Sequence, residues 1–456
     1  MNGAHDGVAE RPRYPSAAMP HQMIDLERPV ERAFLVAVDT GTEPGWNAED
    51  SLAELANLAL TAGADVVGAE WQNRRHIDPH WYVGKGKAEE LLHAKSETGF
   101  DLLVADDELS PTQQKTLEDL VKVKVIDRSR LILDIFAQHA RTHEGRLQVE
   151  LAQLEYQLPR LTRLWTHLSR TQGGIGSRGP GESQLETDRR VIRDRIKKMK
   201  DRVEDVRRAR ATAARGRDRR LMPTVGIVGY TNSGKSTLLN SLVGSEVARA
   251  EDKLFATLDP TSRQVKLGDG QSAILTDTVG FIHKLPHQLV DAFRATLEEV
   301  NRADVLIEVV DAADAHGTEH RATVQQVLDE LGAGDKPRLV AYNKADLLTG
   351  AAARTGGDGG VGEAPVVGGA VFVSALTGFG LDTLRVELSA LLASLWEDID
   401  VRIPYTAGEL LARVRERGTV ELDYQPSDVR IKGRVAPALA GELRGRAVDG
   451  RSDSGA

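Results

Sequence analysis

Apolar positions change their period along the chain, and each change marks a different kind of element. AFLVAV (33–38), DVVGAE (65–70), DLLVAD (101–106) and KVKVID (122–127) are short, nearly continuous apolar runs, the pattern of strands buried on both faces. After the first run Leu52, Leu55 and Leu58 recur at helical spacing, and further helices are predicted over 87–95 and 111–121. Strands alternating with helices of this length imply a parallel sheet covered on both faces. One α/β unit is therefore expected over residues 31–135. A polar, aperiodic stretch (1–30) precedes it and reads as a mobile tail.

From residue 136 the period becomes a heptad. Leu147, Leu151, Leu154, Leu158, Leu161, Trp165 and Leu168 are separated by alternating steps of four and three, the spacing that keeps one stripe facing a partner helix. Pro159 lies inside the stripe and is expected to kink it. A second stripe follows at Leu185, Ile192, Ile196, Met199, Val203 and Val206, and Ser183 with Glu186 fits a capping box at its start, Ser183 being the N-cap. Two stripes joined by a short connection predict an antiparallel helical hairpin over 136–220, each stripe burying the other. The connection, RTQGGIGSRGPGE (170–182), carries five glycines. It reads either as a flexible turn or as a tip that approaches a phosphate backbone, which Arg170 and Arg178 permit.

Composition narrows the class. At 456 residues the chain is long enough for about three domains. The absence of cysteine excludes disulfide scaffolds, thiol catalysis and Cys-ligated metal centres. No apolar run approaches the ~18 residues of a membrane span, and the first residues lack a basic segment followed by an apolar stretch. A cytoplasmic monomer without a membrane span is expected, with association at a membrane surface left open. The net charge of -9 (59 Lys+Arg, 68 Asp+Glu) argues against a nucleic-acid partner, but it is an average. Residues 189–220 hold 15 Lys/Arg and 5 Asp/Glu, a local charge of +10 that leaves -19 for the remainder. Charge runs on helices are commonly solvated faces; this one abuts the Gly-rich connection on a protruding hairpin, which fits an RNA-backbone footprint. With 20 aromatic residues in the whole chain, backbone and shape contacts are favoured over base stacking.

The chemistry concentrates after residue 221. Gly229, Tyr230, Thr231, Asn232, Ser233, Gly234, Lys235 and Ser236 fit G-x-x-x-x-G-K-S between a strand (225–228) and a helix (235–242) that continues through Thr237, the context the motif requires. Backbone N–H groups would wrap the phosphates, Lys235 would reach the β- and γ-phosphates, and Ser236 would ligate Mg²⁺. Asn232 suits either a monovalent cation such as K⁺ or a hydrogen bond to a neighbouring loop. Asp277, Thr278, Val279 and Gly280 form D-x-x-G at the end of a strand; Asp277 can hold Mg²⁺ through water, and the Gly280 N–H can meet the γ-phosphate. Phe255, Ala256, Thr257, Leu258 and Asp259 occupy a loop in which Thr257 and Thr261 both qualify as the metal-sensing threonine. Phe281 stands where enzymes of the Ras type place a water-orienting Gln, so slow intrinsic hydrolysis accelerated by a partner is expected. The plainer alternative is that Phe281 only packs.

Asn343, Lys344 and Asp346 give N-K-x-D after the strand RLVAY (338–342). A carboxylate such as Asp346 accepts from guanine N1–H and the 2-amino group, donors that adenine lacks. Ser374, Ala375 and Leu376 after AVFV (370–373) would complete the base pocket, which makes GTP and GDP the expected substrate and product. Between these two motifs the Gly/Ala-rich insert 349–369 reads as low-complexity and mobile. Residues 397–456 suggest a small α+β appendage, with a helix over 408–417, strands near 401–405, 419–424 and 428–433, and a disordered end from RGRAVDG (444–450) onward. Gly84-Lys85-Gly86-Lys87 is a weaker phosphate-site candidate, more simply an ordinary basic helix start.

Together these motifs resemble the HflX family of translation-factor-class GTPases over residues 33–395. The most specific piece is GGIGSRGPGESQLETDRR (173–190); GYTNSGKS, LFATLDPT and DTVGFI also match the family's P-loop and switches. By that match Thr257 is the metal-sensing threonine, and a hydrophobic residue at position 281 is usual. The resemblance implies catalytic roles for Lys235, Thr257 and Gly280 and a Mg²⁺ site at Ser236, Thr257 and Asp277. With the elements above it gives a multidomain α/β chain of N-terminal α/β domain (31–135), helical hairpin with basic linker (136–220) and Ras-like GTPase domain (221–396), while the tail (1–30) and insert 349–369 depart from the family's pattern and the small C-terminal domain (397–456) matches it more weakly. It also implies a GTPase that binds the large ribosomal subunit, is stimulated by ribosomal RNA, and splits stalled or stressed ribosomes, with loop 170–182 reaching toward the peptidyl-transferase region. Two rivals come from other classes: a regulatory GTP-binding protein controlling a protein partner, and an ATP-driven RNA remodeller. The helicase motifs that the second rival needs are not found.

Overall fold

A computed structural model describes residues 30–42, 45–161, 180–215, 222–245, 254–268, 271–286, 297–348 and 366–447. The first apolar runs form four parallel strands, β1 (Arg32–Asp39), β2 (Asp65–Asn73), β3 (Leu102–Ala105) and β4 (Lys124–Asp127), in the order β2-β1-β3-β4. Side chains alternate across a strand. Ala33, Leu35 and Ala37 therefore join the cluster built with α1 (Ala48–Ala62) and α4 (Arg128–His139). Phe34, Val36 and Val38 face the other way, toward α2 (Lys85–Thr98) and α3 (Pro111–Val121). The helices start where side chains satisfy otherwise orphaned N–H groups: Asn47 caps α1, Ser110 and Gln113 form a full capping box on α3, and Asp127 caps α4. Gly84 is the N-cap of α2, and Lys87 is held by Glu70 (2.8 Å) and Glu90 (3.0 Å), as befits an ordinary helix start.

The two heptad stripes pack on each other. Leu147, Leu151 and Leu154 of α5 (His143–Arg160) are buried with Met199 of α6 (Pro180–Arg215), and Ile192, Ile196, Val203 and Val206 close the seam. Lys200–Glu155 (2.8 Å) and Arg195–Glu150 flank it. The expected cap is corrected: α6 begins at Pro180, so Ser183 lies inside the helix. Proline suits a first helical position because its missing N–H would have no intrahelical partner there. Pro159 occupies the last turn of α5. Trp165, Leu168 and connection residues 170–179 lie outside the described residues, as do the tail (1–29) and residues 216–221.

The second sheet contains β5 (Thr224–Gly229), β6 (Thr261–Lys266), β7 (Ser272–Asp277), β8 (Val305–Asp311), β9 (Arg338–Asn343), β10 (Val366–Val367) and β11 (Ala370–Phe372), in the order β10-β11-β9-β8-β5-β7-β6. Only the β6–β7 and β10–β11 pairs are antiparallel. The end of the 349–369 insert is corrected here. Gly368 (φ 59°) and Gly369 (φ 80°) make a two-residue turn joining β10 to β11, the left-handed pair that matches strand twist in a tight hairpin. Residues 349–365 lie outside the described residues. Helices α7 (Lys235–Val243), α8 (Gly317–Glu330) and α9 (Leu381–Ser394) belong to this part of the chain.

A third sheet, β12 (Glu397–Pro404), β13 (Thr419–Tyr424) and β14 (Asp428–Val435) in the order β12-β14-β13, shares a core with α10 (Gly408–Arg417) and α11 (Pro437–Arg446). Helix α11 corrects the expected disorder at 444–446: Leu439, Ala440 and Leu443 are buried and hold it down. Residues 448–456 lie outside the described residues. Among the described residues no helix is long and apolar enough to cross a membrane.

One apolar cluster runs from the first sheet into the second, joining Leu35, Leu55, Phe136 and Val149 to Phe255, Leu258, Phe281 and Val324. At its edge the Arg128 guanidinium is 1% exposed, and all five of its N–H groups have acceptors. Nη1 donates to Glu54 (2.6 Å) and to the His283 carbonyl (3.2 Å), Nη2 to Asp106 (2.6 Å) and the Ser51 carbonyl (3.0 Å), and Nε to Asp106 (3.2 Å). Burial alone would raise the Asp106 carboxyl, but Arg128 and Lys284 (2.7 Å) hold it well below the usual carboxylate range. Arg128→Met should therefore take the guanidinium from two carboxylates, leaving Asp106 to Lys284 and Glu54 to the Tyr230 hydroxyl, and cost about 3 kcal/mol, read as a lowered midpoint of the first urea-unfolding transition. Because the folded Asp106 carboxyl lies below its unfolded value of about 3.9, its stabilisation is present above about pH 4 and is lost as pH falls. That acid sensitivity should be smaller in the variant.

Candidate functional site

The strand–loop–helix at 224–243 gathers most of the expected chemistry. Gly234 (φ 92°) turns the chain into α7, and a Cβ there would sit 2.2 Å from Asn343 Nδ2, so only glycine lets the two segments meet. The Lys235 ammonium is buried and donates to the Tyr230 carbonyl (2.7 Å) across the loop. Burial pushes it down to about 8, against the pull of Asp277. A buried cation whose hydrogen bond goes to a carbonyl is what a phosphate group would satisfy.

Three oxygens converge beside it. The Ser236 hydroxyl donates to Asp277 Oδ2 (2.6 Å) and lies 2.7 Å from the Thr257 hydroxyl. Asp277 is fully buried, its Oδ1 has no hydrogen-bond partner among the described residues, and burial raises its carboxyl despite bonds from Ser236 and Thr257. Two hydroxyls and an under-satisfied carboxylate are hard oxygen donors, and they fit Mg²⁺. Gly280 follows at the end of the D-x-x-G segment. A Cβ there would come 2.8 Å from the Thr231 backbone and 2.9 Å from Lys235 Nζ, so any side chain at this position would press on the P-loop.

The base side is assembled through Asn343. Its amide donates to the Ser233 carbonyl (2.9 Å) and accepts from Ala375 N–H (2.9 Å), tying the P-loop to segment 374–376. Asp346 is exposed, with one oxygen held by the Ser374 hydroxyl (2.6 Å), and Leu376 is 80% exposed. Lys344 (φ 60°) is anchored by Asp311 at 2.8 Å.

Other expected residues are placed differently. Thr237 is half-buried in the first turn of α7. Asn232 (φ 58°) is exposed at the loop tip. Thr278 directs its hydroxyl to the Ile227 carbonyl (2.6 Å), and Val279, Phe255 and Leu258 are buried in the shared core, while Ala256 is half-buried. Phe255 N–H donates to Thr231 Oγ1 (3.1 Å). The Asp259 carboxylate turns away from the P-loop, accepting from Arg141 N–H (3.0 Å) and Thr142 N–H (2.9 Å) at the start of α5. Phe281 is 1% exposed, and its backbone is tied to the P-loop in both directions, accepting from Thr231 N–H (2.7 Å) and donating to the Gly229 carbonyl (3.1 Å).

Tyr230 is expected in the P-loop, but its outward contacts, and the residues that make them, are not read from the sequence. Tyr230 points out of the P-loop: its hydroxyl donates to Glu54, accepts from His283 N–H (2.8 Å), and its ring stacks on His320 at 3.7 Å. Burial lowers His320 from its usual value, against the pull of Asp314. Trp46 stacks on His283 at 4.2 Å, and Lys284 bridges Asp106 and Asp107 at 2.7 Å each. No periodicity or motif distinguishes Trp46, Glu54, His283, Lys284 or His320, because their meaning lies in contacts spanning up to 178 positions.

Lys235→Ala should weaken GTP binding about 100-fold, because it removes a charge-assisted bond to phosphate; unchanged affinity by calorimetry would refute the P-loop assignment. Phe281→Gln should leave single-turnover GTP hydrolysis no faster, because the position faces the core. A tenfold gain would show that the ring, not the missing amide, limits the rate.

Residues 49–137, 139–217 and 224–344 match family models described as GTP-binding GTPase N-terminal, GTP-binding GTPase Middle Region and 50S ribosome-binding GTPase. GTPase HflX of Caldanaerobacter subterraneus subsp. tengcongensis is 45% identical over 423 residues, covering 92% of this chain and 95% of that one. GTPase HflX of Lacrimispora saccharolytica is 44% identical, covering 92% and 97%, and that of Escherichia coli K12 is 44% identical, covering 85% and 89%. Identity of that order along nearly the full length of both chains means that this protein belongs to the HflX family of GTPases and is a GTP hydrolase.

Proposed function

We propose that this GTPase binds the large ribosomal subunit through the α5–α6 limb, dissociates stalled or stressed ribosomes into subunits, and uses hydrolysis to let go. The observation that carries the reading is the segregation of charge. Arg193, Lys197, Lys198 and Arg202 stand exposed beside the α6 seam, within a stretch of charge +10 in a chain whose remainder is -19. Such a limb can touch an RNA backbone while the rest is repelled by it. The description of the model matching 224–344, a 50S ribosome-binding GTPase, agrees with that partner.

In this reading the P-loop holds GTP with Lys235 on the β- and γ-phosphates and Gly280 N–H on the γ-phosphate, while Asp346 reads the guanine edge. Mg²⁺ held by Ser236, Thr257 and, through water, Asp277 would neutralise charge on the phosphate oxygens. Asn232 would be the residue through which a K⁺ ion assists. Phe281 orients no water, so the attacking water is positioned by the bound ribosome, and hydrolysis waits for engagement. The five segments divide the labour, from the α/β domain at 31–135 and the RNA-contacting limb at 136–220 to the GTPase at 221–396 and the C-terminal appendage at 397–456.

The acidic remainder favours one rival, a GTP-dependent regulator of a protein partner. Sedimentation with ribosomal subunits decides between them. The full chain with a non-hydrolysable GTP analogue should travel with large subunits and shift intact ribosomes toward subunits, and with GDP it should do so less. Replacing Arg193, Lys197, Lys198 and Arg202 by Ala should weaken subunit binding. It should also make the salt dependence shallower, by about 0.7–0.9 in slope for each phosphate that is no longer neutralised. Failure of the wild-type chain to sediment with large subunits overturns the proposal.

A further inference from the structure

Asp259 lies two residues beyond Thr257, in the loop whose threonine meets Ser236 and Asp277, yet its carboxylate serves another element. It accepts from the Arg141 and Thr142 N–H groups and from the Thr142 hydroxyl, which is itself the N-cap of α5 and accepts from Gly145 N–H (2.9 Å). A carboxylate at a helix N-terminus gains from both the charge-assisted bonds and the helix dipole. The fit depends on Gly145: a Cβ at that position would sit 2.4 Å from Asp259 Oδ1. Glycine within a helix costs about 0.5–1 kcal/mol relative to Ala; a Cβ here would crowd the Asp259 carboxylate most and the N-cap Thr142 hydroxyl, at 3.2 Å, next. The glycine leaves room for both, and above all for Asp259.

The same loop is pinned at two more points. Phe255 N–H donates to Thr231 of the P-loop, and the Phe255 ring packs edge-on against Phe136 of α4 at 4.7 Å. Leu258 enters the core that holds Val149 and Ala152 of α5. Thr257 therefore cannot shift by much without pulling on the α4–α5 junction. Helix α5 has 18 residues, a length of about 27 Å at 1.5 Å per residue. A pivot of about 5° at its N-terminus moves the far end by about 2 Å.

We propose that Asp259, seated against Gly145 and Thr142, couples the nucleotide-sensing loop to the hairpin, so that GTP ordering Thr257 fixes the pose of the limb that meets RNA. The coupling deepens the ribosome reading and rests on it only for the limb's partner. Neither Asp259 nor Gly145 needs to touch the nucleotide; each positions α5.

The test uses the full chain and two readouts. Hydrogen exchange of amides 141–147, compared with GDP and with a non-hydrolysable GTP analogue, should differ about fivefold or more in the wild type. The difference should vanish in Gly145→Ala, which improves helix propensity and leaves the phosphate cradle intact, and in Asp259→Asn, which weakens the dock from the other side. Gly145→Ala should keep its affinity for the GTP analogue. Equal exchange in both nucleotide states of the wild type, or a difference that survives in both variants, overturns the coupling. Large-subunit sedimentation is the second readout: the preference for the GTP state should fall toward one in Gly145→Ala, and a preference retained in full also overturns the coupling. If the wild-type chain does not sediment with large subunits, the ribosome reading falls, while the exchange experiment still decides the coupling.

Discussion

The rest of the structure depends on the burial of one guanidinium. Arg128 begins the helix after the last strand of the first sheet, and its five N–H groups are divided among α1, the β3 end and the chain just beyond D-x-x-G. Desolvating a charge is costly, and the cost is offset only when every donor finds an acceptor in good geometry. The first sheet, α1 and segment 281–284 must therefore occupy one mutual arrangement. Lys284 and Asp107 extend the network at its solvent edge, and apolar contact through Phe136, Phe255 and Phe281 seals its inner side.

This arrangement determines what the nucleotide site can do. Segment 280–284 is held by Phe281 on the P-loop backbone, by Tyr230 on His283 N–H, and by Arg128 on the His283 carbonyl. A side chain at 281 is thereby committed to the core and cannot serve chemistry at the phosphate. Gly280 lies so close to Thr231 and Lys235 that no Cβ fits. Lys235 shows the complementary electrostatics: burial lowers its proton affinity to about 8 while burial raises that of Asp277. Both shifts describe a site built around charges that a metal–nucleotide complex would supply.

How much of this the sequence discloses follows from the range of the interactions. The P-loop, D-x-x-G and N-K-x-D segments are legible because each packs its chemistry into four to eight consecutive residues with a strand before it. The heptad seam is legible because its partner stripe obeys the same period. Ser183 misleads because a local capping pattern competes with a proline three residues earlier that starts the helix better. The Val366–Val367 hairpin is hidden by the low-complexity stretch around it, although Gly-Gly between short apolar pairs is a turn signal. Arg128, Glu54 and the bond from the Tyr230 hydroxyl to Glu54 are illegible, because a buried ion network has no period and joins residues far apart in the chain.

Asp259 shows why motif membership is a poor guide to a side chain's role. Its neighbour Thr257 stands with Ser236 and Asp277. Thr257 meets Ser236, Leu258 enters the core, and the loop bends at Asp259. That bend brings the carboxylate to the start of α5, where backbone N–H groups would otherwise lack partners. A loop that must close over a phosphate and also cap a helix cannot do either independently. The nucleotide state and the hairpin thus share one short segment, whose two ends are fixed by different kinds of bond: metal-suited hydroxyls at one and helix N–H groups at the other.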